Sequence, residues 1–67
     1  MDLAQPLTGR EKQVLRLLAA GLSSTAVADE LVISVSTARS HIKNLYAKLD
    51  AHNRTEAVEK AIQNGLL

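Results

Sequence analysis

The chain has 67 residues, a formal net charge of +1 and no cysteine. That describes a single domain near the lower end of what folds unaided, with neither a disulfide nor a thiolate metal site to hold it together. No apolar run approaches the ~18 residues a membrane span needs, so stability must come from a small aliphatic core.

Residues 1–6 lack the basic and apolar regions of a signal peptide and read as a linker or tail. The expectation is a domain over 7–67 in a cytoplasmic chain, either excised from something longer or ending it. Leu and Ala abound, with one Tyr and no Phe or Trp. That balance favours helix over strand and predicts an all-α fold.

Thr8-Gly9-Arg10-Glu11 fits a capping box. The first helix then runs to about Ala20 and buries Val14, Leu15 and Leu18. Gly21 stands where a left-handed residue closes a helix. Ser23 or Ser24 caps a short second helix, with Val27, Ala28 and Leu31 facing inward. Val32-Ile33 form a turn, and Ser34 caps a third helix over about 35–49. Two helices joined by so tight a turn match a helix-turn-helix. The third helix stops near Asp50, which tolerates the left-handed conformation less well than Gly. Asn53-Arg54-Thr55-Glu56 opens a fourth helix to about Asn64, lined on one side by Ala57, Val58, Ala61 and Ile62. Gly65 ends it, and Leu66-Leu67 fold back.

The third helix carries the functional signal. Ala38, Ile42, Leu45 and Leu49 recur at helical spacing and face a core. Ser36, Arg39, Ser40, Lys43 and Ala47 lie opposite. Residues 34–49 hold three Lys or Arg and no Asp or Glu, whereas 1–33 hold three against four and 50–67 two against three. An acid-free edge of short polar and basic side chains suits an anionic partner, and the major groove of DNA admits one α-helix. Arg39 and Lys43, four apart, can reach guanine; a solvated basic edge is the alternative reading. Ser40 between them is small enough to let the helix approach closely, or is an ordinary surface serine. Ser23, with Ser24 and Thr25, opens the second helix, where free amides and a positive dipole end suit a phosphate; simple capping is the alternative.

His41 lies on a flank with Thr37, Asn44 and Lys48. With His52 distant in sequence and no Cys, no metal site is expected, and with no nucleophile beside it no catalytic base. No cofactor motif or G-x-S-x-G turn occurs, so an enzyme is not expected. Tyr46 is expected to pack between the third and fourth helices, because one aromatic is too few for a single-strand stacking platform. Arg54 is a cation at a helix N-terminus, where the dipole disfavours it. Its expected partner is a carboxylate, Glu11 or Asp50, with a DNA phosphate as the alternative.

These residues resemble the LuxR-type (GerE-like) helix-turn-helix family of bacterial transcription regulators. Leu7-Thr8, Arg10-Glu11, Val14-Leu15, Leu17, Ala19, Gly21 and Ser23 match its pattern. So do Ala28, Leu31, Ile33-Ser34, Thr37, His41, Asn44, Lys48-Leu49, Arg54 and Ala57-Val58. The resemblance runs without gaps over nearly the whole chain. Asn44-Leu45-Tyr46 is more similar to the large ATP-dependent regulators of the maltose-activator type than to two-component regulators.

The resemblance implies four helices, the third in the major groove and the fourth supporting dimerisation. By position it implies that Arg39, Ser40 and Lys43 read base edges. It implies backbone or flank contacts for Ser36, Thr37, His41, Asn44 and Lys48, and a phosphate approach at Thr25. The departures are Thr25 for a frequent Lys, Ala26 for Glu, Ala38 for Val, and Asp50-Ala51 for Gly-Val. The leading expectation is sequence-specific binding of double-stranded DNA in transcription control, on the bacterial nucleoid when bound. Pairing is expected on a two-fold site, with RNA polymerase a possible partner. The core takes Ala57, Val58, Ala61 and Ile62, so Glu56, Glu59, Lys60 and Gln63 remain on the outer face of the fourth helix; that face is polar and small, and the isolated domain is expected to be a monomer. The alternative is a helix-turn-helix that has lost DNA and holds a protein.

Overall fold

The computed structural model describes residues 6–67, so the expected linker lies outside it except for Pro6. Among the described residues there are four helices and no strand: α1 (Gly9–Ala19), α2 (Ser24–Leu31), α3 (Val35–Leu49) and α4 (Arg54–Gln63). α2, the turn through Val32 and Ile33, and α3 form the helix-turn-helix, with α1 and α4 packed against α3. The all-α expectation holds, with each boundary within a residue or so of the reading above.

Every helix starts the same way. Thr8, Ser23, Ser34 and Asn53 accept a hydrogen bond from the amide three residues on: Glu11, Ala26, Thr37 and Glu56. Each side-chain oxygen satisfies a donor that the helix leaves orphaned. At α1 the box closes, because Glu11 Oε1 accepts in return from the Thr8 amide at 2.9 Å. At α4 it shifts by one residue: Glu56 Oε1 accepts from the His52 amide at 3.2 Å.

Every helix also ends the same way, in a Schellman motif. The amides of Leu22, Ile33, Ala51 and Leu66 reach back to the carbonyls of Leu17, Ala28, Tyr46 and Ala61. That closure requires a left-handed residue just before each amide. Gly21 (φ 95°) and Gly65 (φ 72°) adopt it freely, but Val32 (φ 56°) and Asp50 (φ 55°) adopt it despite a Cβ. Both helices of the helix-turn-helix therefore end on a conformation that ordinary side chains resist.

The core is Leu7, Val14, Leu15, Leu18, Val27, Ala28, Ala38, Leu45, Leu49, Ala57 and Ala61. Leu31, Ile42 and Val58 are only half-buried. Leu66 packs back on the core, whereas Leu67 is largely exposed. The expectation that Ile62 lines the core is wrong: it is 59% exposed. α4 makes its close approach through Ala57 and Ala61, and such short side chains leave a buried stripe too narrow to cover Ile62.

Candidate nucleic-acid interface

Glu11 is the one buried charged residue among those described, at 4% exposure. Its Oε1 lies 2.7 Å from Lys48 Nζ, and Lys48 also donates to the Pro6 carbonyl at 3.3 Å. Burial pushes the Glu11 carboxyl up, but the Lys48 ammonium and the Thr8 amide and hydroxyl together outweigh it and hold it below its ordinary value. This pair ties the end of α3 to the start of α1.

α3 buries Ala38, Leu45 and Leu49 and turns the rest outward. Ser36, Thr37, Arg39, Ser40, Lys43, Asn44 and Ala47 are all exposed. No carboxylate interrupts this face. The Ser34 hydroxyl donates to Thr37 Oγ1 at 2.8 Å, which fixes the first turn of the helix.

Beside this face runs an open groove of about 770 Å³ between the start of α2, the side of α3 and the start of α4. Its apolar lining includes Leu22, Ile42 and Tyr46; Ser23, Ser24, Arg39, Lys43 and Arg54 supply the polar part. Three cations and no Asp or Glu line it. Tyr46 is half-buried against the core, and burial pushes its phenol up while the Arg54 charge pulls the other way.

Of the residues singled out from sequence, Ser23, Arg39 and Lys43 come together at the groove. Ser36, Thr37, Ser40 and Asn44 share the exposed face of α3, and Thr25 is exposed on α2. His41 is half-buried, and Lys48 is bound to Glu11 rather than free on a flank. Arg54 has neither expected carboxylate: Glu11 is held by Lys48, and Asp50 pairs with Lys60 at 3.8 Å. Its guanidinium donates instead to the Leu22 carbonyl at 3.4 Å. Ser24 and Arg54 join the groove as well: the sequence places Ser24 at a cap and gives Arg54 a carboxylate partner, and nothing local shows that the starts of α2 and α4 meet the side of α3. Among the described residues, no three His, Cys, Asp or Glu gather as metal ligands. No described helix is long and apolar enough to cross a membrane.

Residues 5–61 match the luxR family of bacterial regulatory proteins. The chain is 41% identical over 66 residues to YxjL of Bacillus subtilis, an uncharacterized transcriptional regulatory protein, covering 98% of this chain and 30% of that one. It is 50% identical over 58 residues to the HTH-type transcriptional regulator MalT of Vibrio cholerae, covering 87% of this chain and 6% of that one. Among solved structures, the response regulator ChrA of a heme-sensing two-component system superposes with a TM-score of 0.90 at 38% identity, over 98% of this chain and 33% of ChrA. The transcription factor GerE superposes with a TM-score of 0.83 at 34% identity, over 94% of this chain and 96% of GerE. The chain thus spans less than a third of these curated relatives, which include a MalT regulator. The family match covers most of the chain and the fold agrees, so this chain belongs to the luxR (GerE-like) helix-turn-helix family of bacterial transcriptional regulators.

Proposed function

We propose that the domain binds double-stranded DNA sequence-specifically, with α3 in the major groove. The observation that carries this reading is the exposed, acid-free face of α3 beside a groove lined by Arg39, Lys43 and Arg54. Arg39, Ser40 and Lys43 read base edges. Ser36, Thr37, His41 and Asn44 contact the backbone or flank, and Ser23 and Thr25 approach a phosphate at the start of α2. Lys48 is the weakest of the expected flank contacts, because two of its three N–H donors are already taken by Glu11 and the Pro6 carbonyl.

The domain comprises residues 7–67. On a two-fold site two copies pair through α4, while the isolated domain stays monomeric. Ile62 and half-buried Val58 give that face some apolar area, but Glu59 and Gln63 beside them keep it small. A stable dimer usually buries about 1,200 Å² or more.

The test is an anisotropy titration of a labelled duplex at several salt concentrations. Wild type should bind with a steep log–log salt dependence, about −0.9 per neutralised phosphate. The Arg39→Ala/Lys43→Ala variant should bind far more weakly. No binding by wild type at low salt, including when the domain is fused to a dimerising helix, would overturn the proposal in favour of a protein-binding module.

A further inference from the structure

Arg54 occupies a position that stability alone does not explain. It is the first residue of α4, where a cation opposes the helix dipole, and it is exposed. Its one hydrogen bond within the described residues is the long one to the Leu22 carbonyl, with no carboxylate within 4 Å. That bond holds the guanidinium at the approach to α2, next to Ser23 and Ser24 and across the groove from Arg39 and Lys43. On its other side lies a smaller recess that contains Glu59, so an anion reaches Arg54 from the α3 side.

We infer that Arg54 is a ligand for a DNA backbone phosphate, gripping the strand that runs along the groove while α3 reads bases. This rests on the DNA-binding reading above and adds α4 to the contact surface. A guanidinium matches phosphate oxygens with paired N–H donors, and only one of its N–H groups is engaged by Leu22. A phosphate contact carries no sequence information but fixes the register of the helix in the groove.

The measurement compares wild type, Arg54→Gln and Arg54→Lys on two duplexes of unrelated sequence across a salt series. Arg54→Gln should bind both duplexes about tenfold more weakly, with the salt slope shallower by about 0.9. Arg54→Lys should keep the slope. Arg54→Gln should melt no lower than wild type, since it removes a cation from the start of α4. Unchanged affinity and slope in Arg54→Gln would overturn the inference, as would a loss on one duplex only, which marks a base reader. Wild-type protein gives a readout independent of any variant's folding: the Arg54 side-chain Nε–H resonance should shift when duplex is added, and an unmoved resonance also overturns the inference. If wild type and Arg54→Gln bind alike while Arg39→Ala/Lys43→Ala does not bind, the inference fails and the DNA reading stands. If wild type binds neither duplex at low salt, alone or fused to a dimerising helix, both fail.

Discussion

Replacing Glu11 tests how α3 is held in place. The side chain of Glu11 is 6% exposed and that of Lys48 is 19% exposed, so this pair lies between the surface and interior cases. Exposed pairs contribute about 0–1 kcal/mol, whereas breaking a fully buried one costs about 3–5 kcal/mol. About 1.5–2 kcal/mol is reasonable here for the pair, and the lost acceptor for the Thr8 amide adds about 1 kcal/mol. Glu11→Ala should therefore cost about 3 kcal/mol, most of the ~3–5 kcal/mol a core of this size supplies. Glu11→Gln keeps an acceptor for Thr8 and should cost about half as much. Melting followed by circular dichroism should show Glu11→Gln, at about 1.5 kcal/mol, lower by roughly 6–12 °C. The Glu11 carboxyl is held below its ordinary value of 4.5, so its contribution is complete above that pH and fades as pH falls through the lower folded value. The gap between wild type and Glu11→Gln should accordingly narrow progressively as the pH falls below 4.5. A cost under about 1 kcal/mol for Glu11→Ala, or Glu11→Ala and Lys48→Ala losses that simply add, would refute the ion pair as the tie between α1 and α3.

Val32→Asn should stabilise the domain by about 1 kcal/mol, because Val32 is left-handed and 90% exposed and Asn relieves the strain without uncovering the core. An unchanged or lower melting temperature would count against that account. Leu45→Ala should cost about 2.7–5 kcal/mol, enough to leave much of the protein unfolded at 25 °C, since Leu45 is fully buried; a cooperative melt close to wild type would contradict it. Arg39→Ala should cost about 1–3 kcal/mol on a preferred site and less on unrelated duplexes; equal losses on all would make Arg39 a backbone contact. Lys48→Met should lower the melting temperature yet leave the salt slope of DNA binding unchanged, and a slope shallower by about 0.9 would make Lys48 a phosphate contact.

The parts legible in the sequence were those set by neighbours along the chain. A cap bonds to an amide three residues on, so Thr8, Ser23, Ser34 and Asn53 announced four helix starts. Gly21 and Gly65 announced two ends by their conformational freedom. The period of α3 separated Ala38, Leu45 and Leu49 from Arg39, Ser40 and Lys43, because a helix's own geometry sorts its faces. Local chemistry pointed the wrong way at Val32, where a β-branched residue argues against the left-handed state that the motif closing α2 imposes.

Only the tertiary structure decided what crosses between helices. Lys48 and Glu11 are 37 positions apart, and nothing local distinguishes a lysine that will meet a buried carboxylate from one that will face solvent. Arg54 lost both expected carboxylates because Lys48 and Lys60 reached them first. Ile62 emerged because periodicity gives the direction of a buried stripe and the packing partners give its width. Sequence alone determined the four helices and the face of α3 that is basic. The docking of α2 and α4 against α3 decided which cations remain available on that face, because a charge is committed by the partner that folding brings within a few ångströms.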